Sequence, residues 1–96
     1  MERRKLTPAE VEEALQVLPG WSVKDGKLSK QFKFPTFAEA IGWMVTVGVY
    51  ADKLDHHPDW SNGYNKVDVT LITHDMDALS TLDLALARRM QELTGE

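Results

Sequence analysis

All three histidines of the chain, His56, His57 and His74, fall within one stretch running from Asp52 to Asp75. Imidazole is the side chain whose ordinary pKa lies near neutral pH, so it gives and takes protons with similar ease. Asp52, Asp55, Asp59 and Asp75 stand among the histidines. A carboxylate in such a place orients an imidazole or accepts from the N–H groups of a substrate. The stretch holds no cysteine, no Gly-rich phosphate loop and no serine elbow. What remains is proton transfer, with a metal site as the rival.

Three histidines and an aspartate match a catalytic zinc in ligand type and number. Their spacing does not. Adjacent His56 and His57 follow neither the i, i+4 arrangement of a helix nor the i, i+2 arrangement of a strand. Acid–base work fits better. One imidazole protonates a leaving hydroxyl while another takes a proton from nitrogen or carbon, each transfer worth about 10²–10⁴ in rate. Dehydration or tautomerisation of a polar ring by this route requires no metal and no cofactor.

Ninety-six residues make one domain, 1–96, with a core small enough that an oligomer interface would add to its stability. The net charge of −4 argues against nucleic acid or an anionic membrane as a partner. Arg3-Arg4-Lys5 is too short to reverse that and reads as a solvated N-terminal tail. Without cysteine there is no disulfide scaffold, thiol nucleophile or thiolate metal site. No signal-like h-region or long apolar run is present, so the expected location is cytoplasmic.

The elements that must hold the histidines are legible in order. Thr7-Pro8-Ala9-Glu10 is a capping box that opens a helix carrying Val11, Leu15 and Leu18 on one face, and Pro19-Gly20 ends it. Asp25-Gly26 joins two strands, Trp21–Lys24 and Lys27–Phe34, the second with Leu28, Phe32 and Phe34 on its core face. Thr36-Phe-Ala-Glu39 forms a second capping box and starts a long apolar helix to Leu54. Its apolar stripe is wide enough to lie between a sheet and another surface. Asp52 and Asp55 at its C-terminus oppose the helix dipole, a local rule broken twice. Pro58 pushes His57 to an extended conformation, so the chain bends there. Asp59–Tyr64 is a short strand or turn with a turn signal at Asn62-Gly63, the bend falling there or slightly later. Asn65–Thr73 alternates as a strand, with Val67, Val69 and Leu71 inward and His74 just past its end. Ser80-Thr-Leu-Asp83 caps the last helix, whose apolar side carries Leu82, Leu86, Met90 and Leu93. The order α-β-β-α-β-β-α implies an α+β fold: a four-stranded antiparallel sheet with three helices on one face. The other face, or an edge strand, is then solvated or paired with a second copy.

Asp52-Lys-Leu-Asp-His-His-Pro-Asp-Trp60, Tyr64-Asn-Lys-Val and Thr73-His74-Asp75 closely resemble the pterin-4a-carbinolamine dehydratase family. Gly20-Trp21, Phe32-Lys-Phe34 and the helix with Asp83 also fall in family-like places, so the resemblance covers most of the chain. It implies loss of water from a 4a-hydroxytetrahydropterin to give quinonoid dihydropterin, recycling the pterin after aromatic amino-acid hydroxylation. His56, His57 and His74 would be its catalytic and positioning imidazoles. His57 and His74 would be the acid–base pair, and His56 a polar positioner. Asp52, Asp55 and Thr73 would bind substrate, with Trp21 and Asp83 at the pocket's border; no metal or cofactor would take part.

The resemblance also implies dimers or dimers of dimers formed through sheet pairing, and functional coupling to an aromatic amino-acid hydroxylase. Asp52 stands where the family commonly has Glu, Ile72 where a small hydroxyl residue is frequent, and Gly63 where a bulkier residue is found. These departures bear on affinity and on the preferred pterin side chain. Two further functions stay open: a non-catalytic dimerisation module, as animal relatives serve a homeodomain transcription factor, or action on another pterin, such as one of molybdopterin metabolism.

Overall fold

Residues 2–95 are described by the computed structural model, so Met1 and Glu96, the two ends of the expected 1–96 span, lie outside the described residues. The elements are α1 (Pro8–Val17), β1 (Ser22–Lys24), β2 (Lys27–Lys33), α2 (Phe37–Leu54), β3 (Asp59–Gly63), β4 (Lys66–Leu71), a 3₁₀ turn (His74–Met76) and α3 (Thr81–Glu92). The strands form one antiparallel sheet in the order β1-β2-β4-β3, with the two hairpins joined by pairing of β2 with β4. The fold is α+β, as the element order implied.

The register follows the inward alternation. Leu28 faces Leu71 and Phe32 faces Val67 across the central pair, and all four are buried. A one-residue slip would turn that apolar row to water, so the pairing is strongly specified. Full burial of Phe32 alone is worth roughly 1.5–3 kcal/mol. Ala40, Trp43, Val47 and Ala51 of α2, Leu86, Ala87 and Met90 of α3, and Ala14 near α1's end join the same core. The outer face of the sheet carries Ser22, Gln31, Asp68 and Ser61 and is exposed.

Trp43 is the centre of the aromatic packing, with ring centroids 4.5 Å from Phe32, 5.1 Å from Phe34 and 6.2 Å from Trp60. Its indole N–H donates to the Met90 carbonyl at 3.1 Å, so a large ring is buried with its polar atom satisfied. Sequence periodicity passed over Trp43, because the apolar stripe of α2 covers more than one face.

Both capping signals at Thr7 and Ser80 form complete boxes, whereas at Thr36 the Glu39 carboxylate is met by the Thr36 hydroxyl. One expectation is refined and another corrected. The turn after β3 lies at Tyr64-Asn65, slightly later than the Asn62-Gly63 signal. Tyr64 takes a positive φ of 52°, and Asn62 braces the turn from within the strand through the Tyr64 and Lys66 carbonyls. Arg3-Arg4-Lys5 is not a solvated tail. Leu6 N–H donates to Leu79 O, Thr81 N–H to Arg4 O, and Lys5 bridges Ser80, so this arm is laid across the start of α3.

Candidate active site

Three segments meet beside the sheet: the C-terminus of α2, the turn after β4 and the N-terminus of α3. Asp55 ends α2 in the left-handed conformation, φ 54° and ψ 41°. Aspartate tolerates that region better than most residues, at a cost of order 1 kcal/mol. The reversal lets His56 N–H donate back to Ala51 O at 3.1 Å and turns the His56 side chain inward. Pro58 then leads the chain out into β3, leaving His57 on the surface. On the other side Thr73 is buried, and His74 begins the 3₁₀ turn, closed by Asp77 N–H to His74 O at 3.1 Å.

Beneath these groups lies a buried polar network. Asp83, fully buried, accepts from His56 Nε2 at 2.6 Å, from the Thr73 hydroxyl at 2.8 Å and from Ser80 N–H at 2.9 Å. Because the single Thr73 hydroxyl proton goes to Asp83, the 2.6 Å contact between Thr73 and Ser80 has Ser80 as donor. Ser80 Oγ in turn accepts from Leu82 N–H at 3.2 Å. Every buried side-chain N or O among the described residues has a partner. Asp83 also stands in the first turn of α3, where the helix dipole favours negative charge. The carboxylate fixes a proton on His56 Nε2 and leaves Nδ1 as the other working atom of that ring.

The other two imidazoles are exposed. His74 Nε2 lies 3.2 Å from Asp59 Oδ2, and His57 Nε2 lies 3.7 Å from Asp52 Oδ1. All three histidines border one open cavity of about 610 Å³, together with Arg3, Asp55, Asp59, Thr73 and Asp75. The Arg3 guanidinium pairs with Asp75 and holds that carboxyl below the usual range. Among the described residues, no set of three or more His, Asp or Glu side chains is placed to hold one metal ion. Instead His56 and His74 each have a carboxylate within hydrogen-bond distance and His57 has Asp52 nearby at 3.7 Å, an arrangement suited to moving protons.

His56, His57, His74, Asp55 and Thr73 are therefore brought together around one cavity. Asp83 lies below it with both oxygens engaged inward, so it supports His56 and offers nothing to a ligand. Asp52 is exposed beside His57 and does not line the cavity. Trp21 stands apart. It packs edge-on against Phe32 at 5.8 Å, and its indole N–H donates to Gln91 at 3.3 Å, so within this chain it is a core residue. Arg3 was not foreseen at the site, since its contact with Asp75 spans 72 positions, and Ser80 was legible only as a helix cap. Asp59 and Asp75 were legible only as acidic neighbours of the histidines.

The sequence model described as pterin 4 alpha carbinolamine dehydratase matches residues 4–93. Proteins of Brucella ovis and Brucella canis, provisionally named pterin-4-alpha-carbinolamine dehydratases, are 46% identical over 97 residues, covering 99% of this chain and 100% of theirs. A crystal structure described as a transcriptional coactivator/pterin dehydratase from Brucella melitensis superposes with a TM-score of 0.91 at 45% identity, over 95% of this chain and 99% of that one. A pterin dehydratase-like protein identified as a RuBisCO assembly factor of the alpha-carboxysome shares the fold, with a TM-score of 0.65 at 22% identity over 79% of this chain and 88% of that one. The chain belongs to the pterin-4-alpha-carbinolamine dehydratase family.

Proposed function

We propose that the chain dehydrates 4a-hydroxytetrahydropterin to quinonoid dihydropterin by histidine acid–base catalysis. The observation that carries this reading is the convergence of three imidazoles, each beside its own carboxylate, on one cavity. Dehydration breaks the C4a–O bond, and the departing hydroxyl takes a proton from one imidazolium to leave as water. The adjacent ring nitrogen gives its proton to a second, neutral imidazole as its electron pair forms the new double bond to C4a. One proton is taken and one returned, so the site needs only two imidazoles in opposite protonation states.

His57 and His74 are the acid–base pair in this reading, because both are exposed to the cavity and free to change partners. His56 is the positioner, its ring locked by buried Asp83. Asp55 and Thr73 border the pterin's polar edge, and Asp52 lies beside His57. The product serves recycling of the pterin after aromatic amino-acid hydroxylation, so coupling to such a hydroxylase belongs to the same proposal. The test is spectrophotometric: dehydration of freshly generated 4a-hydroxytetrahydropterin in EDTA, wild type beside His74→Ala. Acceleration by wild type that is largely lost in the variant supports the reading; wild type equal to the spontaneous rate overturns it.

Self-association is the second reading, and one surface favours it. Phe37, Ile41, Val45 and Val49 recur every fourth residue along α2 and are exposed by 50%, 38%, 63% and 54%. Such a ridge is suited to packing against the same ridge of a second copy, as i±4 rows interdigitate. The edge strand β3 offers a further pairing surface beside the site. Homodimer or homotetramer formation is therefore part of the proposal.

A further inference from the structure

The N-terminal arm brings to the cavity a guanidinium, which the histidine stretch lacks. Thr81 holds the backbone on either side of Arg3. Its hydroxyl donates to Glu2 O at 2.5 Å and accepts from Arg4 N–H at 3.2 Å, while its own N–H donates to Arg4 O at 2.9 Å. The two arginines then part company. Arg4 turns away to make a bidentate pair with Glu10, at 2.8 and 2.7 Å. Arg3 turns to the cavity wall and meets Asp75, next to His74.

Three carboxylates, Asp55, Asp59 and Asp75, thus border the cavity against the single guanidinium of Arg3, and Asp75 engages that guanidinium. We infer that the Arg3–Asp75 pair sets the charge selectivity of the site: it leaves the cavity net acidic and turns away pterins whose side chain carries a phosphate. The inference rests on the dehydratase reading for its substrate. A phosphomonoester brings about −1.5 to −2 charges, and like charges at this exposed rim repel moderately, in a manner that salt screens. The carboxylates meanwhile remain available to the N–H groups of an uncharged pterin ring.

The roles of the pair can be separated by substitution. Asp75→Asn removes one negative charge and frees Arg3 without changing side-chain size, so anionic ligands should gain. Arg3→Gln removes the cation and should make the preference for a neutral ligand steeper. Adding Thr81→Val to Asp75→Asn unties the arm, and the gain should disappear.

The experiment compares kcat/KM for two 4a-hydroxytetrahydropterins, one with a neutral hydroxyalkyl side chain and one with the same side chain phosphorylated. Binding of the corresponding oxidised, unreactive pterins is followed in parallel by fluorescence. Wild type should prefer the neutral compound about tenfold at low salt, with the preference shrinking as salt rises. Asp75→Asn should cut that preference to about threefold or less, and Arg3→Gln should raise it. Equal use and equal binding of both compounds by wild type, or no change on Asp75→Asn, overturns the inference. If neither compound is dehydrated but the binding preference and its response to the variants persist, charge selectivity stands and the dehydratase reading falls.

Discussion

His56 Nε2 and Asp83 Oδ1 lie 2.6 Å apart, tying the C-terminal end of α2 to the first turn of α3 through a pair almost wholly removed from water. The two residues are 27 positions apart, and each is where it is for a local reason. His56 is swung inward by the left-handed Asp55, and Asp83 is the third residue after the Ser80 cap. A cap satisfied by a buried carboxylate has one oxygen to spare, and the histidine takes it.

Replacing Asp83 by Ala should therefore destabilise the protein by roughly 3–5 kcal/mol, since it strips the partner from a buried imidazole, a hydroxyl and a backbone N–H. Urea unfolding with an unchanged m-value measures this directly. A loss under about 1 kcal/mol would show that solvent replaces the carboxylate freely.

His57→Ala and His74→Ala should behave differently from His56→Ala. Both exposed variants should lose about 10²–10⁴ in dehydration rate while keeping stability within about 0.5 kcal/mol of wild type. His56→Ala should lose stability as well, because Asp83 is then a buried charge with a missing donor. Thermal melts beside initial rates separate the two patterns.

Asp59 sits on edge strand β3, where its register partner is Thr70, and it faces His74 at 3.2 Å. If it orients that ring, Asp59→Asn should lower kcat about tenfold with little change in KM, and Asp59→Glu should restore part of it. Unchanged kcat in Asp59→Asn would reduce the contact to a surface ion pair of negligible worth.

The arm should loosen in acid. Its Arg4 guanidinium and the Thr7 N–H lower the Glu10 carboxyl to about 2, so the carboxylate is the form favoured by folding. The contribution is complete above the ordinary carboxylate range and disappears as pH falls from there through about 2. Hydrogen exchange at Leu6 and Thr81 should accelerate across that window relative to amides of β4. Arg4→Gln should abolish the difference, and a pH-independent ratio in wild type would refute the coupling.

Val45→Glu on the exposed ridge of α2 should leave the fold intact and shift any oligomer toward smaller species in sedimentation velocity. The side chain is 63% exposed, so the substitution meets no core contact within the chain. An unchanged sedimentation profile would place association elsewhere, with the β3 edge as the next surface to alter.

What the sequence by itself determined is whatever depends on near neighbours. Capping boxes at Thr7 and Ser80, the Asp25-Gly26 turn and the inward alternation of Val67, Val69 and Leu71 are short-range matters of hydrogen bonding and side-chain direction, and they specify the α-β-β-α-β-β-α order. The clustering of the histidines was equally plain, and the family resemblance was carried by that same stretch. Asn62-Gly63 marked the turn only approximately, because side-chain bracing lets Tyr64 take the positive φ just beyond it.

Tertiary structure alone decided which partner each group has. Trp21 packs on Phe32 and donates to Gln91, and Asp83, besides capping α3, anchors His56. Arg3 reached the cavity because Thr81, 78 positions later in the chain, fixes the backbone around it. Burial and hydrogen-bond saturation are properties of packed surfaces, and no local pattern along the chain encodes which distant segment will supply the missing donor or acceptor.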